Sequence, residues 1–303
     1  MFNVVDTYYA GLLSTEAIAA LSISFPVFFM VIALGTGLST GSTALIGNAL
    51  GKNDEKRARF YVAQTISFGL LLSVVLAAAG LVSAPALFRL LGAEAEYLQI
   101  SLDYINIIFL GTVFFIMNYA LNAPLQAMGE TKVFRNFLII GFFLNLALDP
   151  WFMFGGLGVP ALGLKGVALA TVVIQAIGVL YIGYMANRTG LFCSRCLKMI
   201  SPRKKQYKEI ASQGFPAGLN MMTVAIGIFV ITYFVSDFGK EAVAAYGIAT
   251  RIEQIALLPT IGLNIATLAI VAQNHGAGKF SRIKETLKKA IRYGIYVLSV
   301  GGI

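Results

Sequence analysis

The chain has 303 residues, 58% of them hydrophobic and 12% charged, with a mean hydropathy of +0.79. A soluble domain carries about 25% charged residues, so the composition excludes a soluble globular protein and indicates an integral membrane protein. The net charge of +9 would suit a nucleic-acid binder in water, but 19 of the 23 Lys and Arg fall in four short loops, which makes the lipid bilayer the partner and nucleic acid not.

A helix needs about 20 apolar residues to cross about 30 Å of hydrocarbon. By that measure spans fall near 1–13, 17–50, 60–90, 97–127, 133–154, 166–186, 210–236, 243–274 and 286–303. The first and last are short, so the chain is expected to be a fragment that opens partway through a helix. No basic region precedes the first apolar stretch, which is therefore not read as a signal peptide. The loops after the second, fourth, sixth and eighth spans are basic: GKNDEKRAR, GETKVFR, Arg188 to Lys208, and GKFSRIKETLKKAIR. The positive-inside rule puts these loops and the N-terminus in the cytoplasm of a multi-pass plasma-membrane protein, here the bacterial inner membrane.

The stretch Arg188 to Lys208 is the longest hydrophilic segment. It divides the chain into a lobe at 1–190, a cytoplasmic basic linker at 191–207 and an incomplete second lobe at 208–303. The linker holds Cys193 and Cys196, a CxxC with no second pair. A structural zinc needs four ligands, so two free thiols are the plainer reading and their role is left unassigned. An internal repeat supports the division. TEAIAAL (15–21) resembles KEAVAAY (240–246), Gly37-Leu38 meets Gly262-Leu263, and TALIGNALG (43–51) meets LAIVAQNHG (268–276), all at an offset of 225. Parallel repeats of this kind build transporter halves with the substrate path between them.

Two acids lie inside apolar spans: Asp6 in FNVVDTYYAG and Asp149 in FFLNLALDPWFMF. A carboxylate at bilayer depth costs about 2.5–3.5 kcal/mol on insertion scales and marks an ion or proton pathway by default. Asn145 is four residues before Asp149 and shares its helix face; Thr171 and Gln175 pair in the same way on the sixth span. Carboxylates, an amide and a hydroxyl suit H+ or Na+ with oxygen ligands rather than zinc. An intramembrane Asn or Thr alone is more often an interhelical hydrogen bond, whereas an intramembrane Asp demands a partner or a proton. If the two acids are neighbours, they cannot both stay ionised cheaply. Asn118, Asn122, Asn220 and Glu253 are further candidates for lining a cavity. Asp103, near a span end, is expected to face water, and His275 to be solvated in a loop. At the offset of 225 Asp6 falls opposite Ile231. The chain holds no GxxxxGK[ST], HExxH or GxSxG, so it is read as a non-enzyme that uses neither ATP nor a cofactor.

Read together, FNVVDTYYAG, TEAIAALSISFPVF, GTGLSTGSTALIGNALGKNDEKRA, LNAPLQAMGETK, NLALDPWFMFG with GLKGVALAT, QGFPAGLN and AAYGIATRIEQIALLPTIGLNIATLAIVAQNHGAGK resemble the multidrug and toxic compound extrusion (MATE) family, DinF-type branch, across essentially the whole chain. The resemblance implies an all-α membrane bundle of two six-helix lobes, here the first lobe and the first part of the second. It implies export of organic cations by a monomer in exchange for H+ or Na+. Asp6, Asn145, Asp149 and Thr171 match the family's first-lobe cation site, while the seventh-helix Glu of the NorM-type branch corresponds to Val224. The rival readings are a lipid-linked oligosaccharide flippase of the same superfamily and a truncated, non-transporting fragment.

Overall fold

A computed structural model describes residues 2–156, 158–192 and 199–301. Cys193 and Cys196 lie outside the described residues. Those described form ten α-helices and one isolated bridge, Gly156 to Val159. The helices are α1 (Phe2–Leu13), α2 (Thr15–Gly51), α3 (Glu55–Leu90), α4 (Ala95–Leu110), α5 (Thr112–Ala127), α6 (Lys132–Phe154), α7 (Leu164–Arg188), α8 (Lys204–Ser236), α9 (Lys240–Gly276) and α10 (Phe280–Gly301). Among the described residues five helices are long and apolar enough to cross a membrane, and the bent pair α4 and α5 makes a sixth.

Local chemistry sets the joints. Ser14 ends α1 and caps α2, its hydroxyl accepting from Ala17 N at 3.1 Å. Asp54 does the same for α3, accepting from Arg57 N at 2.9 Å, as short polar side chains do at helix starts. Between them Asn53 takes a left-handed φ of 57°, a conformation Asn tolerates. The carbonyls of Phe152 and Met153 at the end of α6 are met by Leu162 N and Gly163 N at 3.1 Å each, which sets the start of α7 against the end of that helix.

Several boundaries differ from the sequence reading, three of them informatively. The span expected at 97–127 is broken at Gly111 into α4 and α5, inclined by 42°. Val172 of α7 occupies the space a Gly111 side chain would need, so the close approach of α7 is what requires glycine there. The hydrophobic run is unbroken through this point, and periodicity gave no sign of it. Helix α8 starts at Lys204, inside the stretch read as linker, because Lys and Gln continue a helix readily beyond the hydrocarbon. Helix α10 likewise starts at Phe280, ahead of its apolar part.

Helix α2, about 55 Å long at 1.5 Å per residue, is the central element. It packs against α5, α3 and α4 on one side and against α8 and α9 on the other. The second contact is a seam of small residues toward the basic-loop end. A Cβ on Gly37 would lie 3.2 Å from Gly218 Cα, and one on Gly41 would run into Ile210 O and Gly214. Farther along, Gly51 abuts Gln273 O, Gly276 abuts Asn48 O, and a Cβ on Gly47 would lie 2.9 Å from Ala272 Cβ. Each of these last contacts maps onto its counterpart by the offset of 225: 47 onto 272, 48 onto 273, 51 onto 276. The repeat read in the sequence is thus a local two-fold relation in space, its axis passing near Gly47 and Ala272. Gln273 Nε2 ties the seam to the end of α5, donating to Ala127 O at 2.5 Å. At the opposite end of the bundle Lys240 of α9 pairs with Glu16 of α2 at 2.5 Å.

Candidate cation site and adjoining cavity

Helix α1 lies against α2, α6 and α7. Its apolar length alone gives it little to hold it, since lipid tails are as apolar as its side chains. Polar groups supply the fastening. Tyr9 OH donates to Leu146 O at 3.1 Å. One turn earlier, Asn145 Nδ2 of α6 donates to Asp6 Oδ1 at 3.1 Å and to Asp149 Oδ1 at 2.8 Å. A single amide thus bridges two carboxylates. Asp6, Asn145 and Asp149 are 1%, 0% and 0% exposed.

The spacing explains the convergence. Asn145 and Asp149 sit one turn apart on α6, with Gly141 and Met153 continuing the same buried face. The cluster lies in the half of the bundle away from the basic loops, about one turn and a half before the end of α6.

The arrangement has more acceptors than donors. Asn145 Oδ1 and Asp149 Oδ2 are buried with no hydrogen-bond partner among the described residues, and so is Thr171 Oγ1 on α7. Two neighbouring carboxylates and surplus oxygens in an apolar surrounding call for a positive centre, since like charges repel strongly where water is excluded. A proton serves, and so does a hard cation with oxygen ligands such as Na+. Among the described residues no group of three or more His, Cys, Asp or Glu gathers in a way that would hold a transition metal.

A cavity of about 180 Å³ opens beside Thr171, among α2, α5, α6 and α7. Asn118 and Gln175 contribute its polar wall. Asn118 Nδ2 donates to Gln175 O at 2.9 Å and to Gln175 Oε1 at 2.6 Å, leaving Asn118 Oδ1 without a partner among the described residues. The remaining wall is apolar and mostly aromatic, with Phe28 edge-on to Phe115 at 5.0 Å, Phe134 near Phe137 at 5.8 Å, and Ile32 and Leu138 beside them.

Hydrogen bonds join Asp6, Asn145 and Asp149, and Thr171, Gln175 and Asn118 line one cavity. Asn122 is buried with its Oδ1 unpartnered among the described residues, but it does not line this cavity. Asn220 and Glu253 are exposed and stand outside it. Asp103, expected to face water, is partly exposed, pairs with Lys165 at 3.1 Å and accepts from Gln99 at 2.9 Å. His275, in the last turn of α9, is exposed but sits 2.8 Å from Asn48 Nδ2 across the seam. No role was assigned to these aromatics from the sequence. Their spacing, 115 with 119 and 134 with 137, places each pair on one face and was the available signal.

A polytopic α-helical bundle that buries a carboxylate pair is an integral membrane protein, and comparison with known proteins assigns its family. The MatE family profile matches residues 1–151 and 216–302, and the chain belongs to that family. It is 32% identical over 295 residues to the probable multidrug resistance protein YoeA of Bacillus subtilis (strain 168), covering 96% of this chain and 63% of that one. It is 27% identical over 292 residues to an FAD transporter of Shewanella oneidensis, covering 96% of this chain and 65% of that protein. Among solved structures, the outward-facing conformation of a multidrug resistance MATE family transporter of the MOP superfamily aligns with a TM-score of 0.85 at 27% identity, over 99% of this chain and 66% of that chain. The chain therefore spans a little under two thirds of the length of these relatives.

Proposed function

We propose that the chain is the first lobe (1–190), the basic linker (191–207) and the opening part of the second lobe (208–303) of an exporter of organic cations driven by exchange for H+ or Na+. The observation that carries this reading is the Asn145 amide bridging the buried carboxylates of Asp6 and Asp149. Without a proton or cation the two acids repel, and the α1–α6 fastening is under electrostatic stress. With one bound, α1 is drawn onto α6. Because α1 runs through Ser14 directly into α2, a shift of α1 reaches the glycine seam that α2 makes with α8 and α9. Binding drives the change only so far as the two arrangements hold the cation unequally.

The neighbouring cavity supplies a place for substrate. Aromatic faces attract organic cations, and the Asn118 and Thr171 oxygens, without a partner among the described residues, can accept from them. A flippase for a lipid-linked oligosaccharide would need cationic groups for its pyrophosphate, and the residues lining this cavity include none. The loop charges support a cytoplasmic N-terminus in the bacterial inner membrane. The test is efflux of a fluorescent organic cation from vesicles, with pH and Na+ gradients imposed separately. Export should follow one gradient and be lost in Asp6→Asn and Asp149→Asn. Unchanged export in both variants would sink the reading.

A further inference from the structure

A second cavity lies away from the cation site, as a groove of about 240 Å³ between α3 and α8 with α2 as its floor. Its α3 wall is Phe68 and Leu72, its floor is Leu34 and Leu38, and Gly37, Gly214 and Gly218 let α2 and α8 approach closely beneath it. On α8 it is lined by Ala211, Phe215, Leu219 and Met222. Phe215 and Leu219 are 66% and 51% exposed, so the groove is open along its α8 side.

The face of α8 that lines the groove continues past it. Lys204 and Lys208 precede Ala211 and Phe215 at three- and four-residue spacing and so share their face. Both lysines are exposed, and among the described residues neither has an ion-pair partner. Arg203 adds a third cation, its guanidinium 5.8 Å above the Phe60 ring on α3, two turns before Phe68. The one acid on this turn of α8, Glu209, is engaged elsewhere, accepting from Tyr61 OH at 2.6 Å.

The end of the groove is fixed in place. Gln64 Nε2 donates to Met199 O at 2.6 Å and Ser201 O at 2.9 Å, and its Oε1 accepts from Arg203 N at 3.1 Å. Tyr207 stacks on Phe68 with centroids 4.7 Å apart and meets Ser67 Oγ at 2.6 Å. The basic start of α8 is thereby held against α3 rather than left free in water.

We propose that this groove is a binding site for one anionic phospholipid of the surrounding membrane, with an acyl chain between Phe68, Leu72 and Phe215 and the phosphate among Arg203, Lys204 and Lys208. Charge complementarity selects this occupant. The apolar part lies between two helices long and apolar enough to span a membrane, the cationic part lies at the basic-loop end, and a basic residue near an anionic membrane surface attracts its lipids. The lipid would sit astride α3 and α8, the helices flanking the seam, and would stabilise their contact.

Native mass spectrometry of the purified chain tests this, with phosphatidylglycerol and phosphatidylcholine of the same acyl chains supplied at equal concentration. The parent should retain one phosphatidylglycerol in preference to phosphatidylcholine. Lys204→Gln/Lys208→Gln should lower its retention about tenfold, toward that of phosphatidylcholine. Ala211→Trp, which fills the groove, should lower retention of both. Equal retention of the two lipids by the parent, or a double lysine variant that holds phosphatidylglycerol as the parent does, overturns the proposal. Displacement of the lipid by an organic cation at concentrations that leave bulk lipid unaffected also overturns it, since the groove would then belong to the transport path. The lysines are exposed and paired to nothing among the described residues, so their replacement leaves the fold intact and the result readable.

Discussion

The contact of α1 with α6 is held by polar groups that have nowhere else to go, whereas the contact of α2 with α8 and α9 is held by the absence of side chains. The Asn145 amide joins Asp6 to Asp149, and an amide in place of either acid changes charge with little change in volume. Gly37, Gly41, Gly51 and Gly276 let backbones touch, and any side chain there separates the helices. Membrane helices cannot rely on the hydrophobic effect to associate, so both devices are used. On the proposed function, the first responds to an ion and the second passes on the shift of α2.

The largest effect separates the two devices by sterics. Gly51→Leu or Gly276→Leu should lower unfolding stability by about 3 kcal/mol, because a Cβ at either position runs into the facing backbone. Thermal unfolding in detergent reads this. Gly262→Ala is the internal control. It occupies the repeat position of Gly37 but has open space around it, so alanine there should be neutral or add up to about 1 kcal/mol through helix propensity. Equal destabilisation at 51 and 262 would remove the seam from the account.

A second, smaller effect tests the polar contact. Asp149→Asn keeps the shape and one acceptor for Asn145, so stability should stay within about 1 kcal/mol of the parent while the response to H+ or Na+ disappears. Asn145→Leu, in contrast, removes the donor that joins two buried carboxylates and should cost about 3 kcal/mol. If Asn145→Leu is as stable as the parent, the bridge does not hold α1 in place.

The smallest effect belongs to the far end of α2. Glu16 and Lys240 are both more than a third exposed, and water screens such a pair strongly. Glu16→Gln should leave the unfolding midpoint within measurement error, and raising salt should erase any difference that remains. A large, salt-independent loss would make this end a second fastening on the scale of the seam.

Much of this was legible in the chain, for reasons that differ by region. The basic loops and long apolar runs marked the helices because the bilayer imposes both. The buried acids were legible because an Asp at depth is costly, and Asn145 because four residues set it on the face of Asp149. The offset of 225 pointed to a repeat, and the reciprocal contacts of residues 48 and 51 with 276 and 273 give it spatial meaning. The break at Gly111 was hidden inside a continuous apolar run, since its cause is Val172, sixty-one residues away in sequence. Gly214 and Gly218 were unreadable for the same reason, as a packing glycine differs from an idle one only in what faces it. Gln64 gave no signal either, because its partners are backbone groups of the linker.

The central claim is that the Asp6–Asn145–Asp149 cluster binds the coupling cation, and the chain carries its own reporter for it. Trp151 is the only tryptophan in the sequence and lies two residues beyond Asp149, its Nε1 donating to Gly156 O at 2.9 Å. Its fluorescence in the reconstituted chain should be titrated against pH at fixed Na+, then against Na+ at fixed pH. The account predicts a saturable change with one of the two cations that is absent in Asp6→Asn/Asp149→Asn. A titration that persists unchanged in the double variant, or a parent that responds to neither cation, would contradict it.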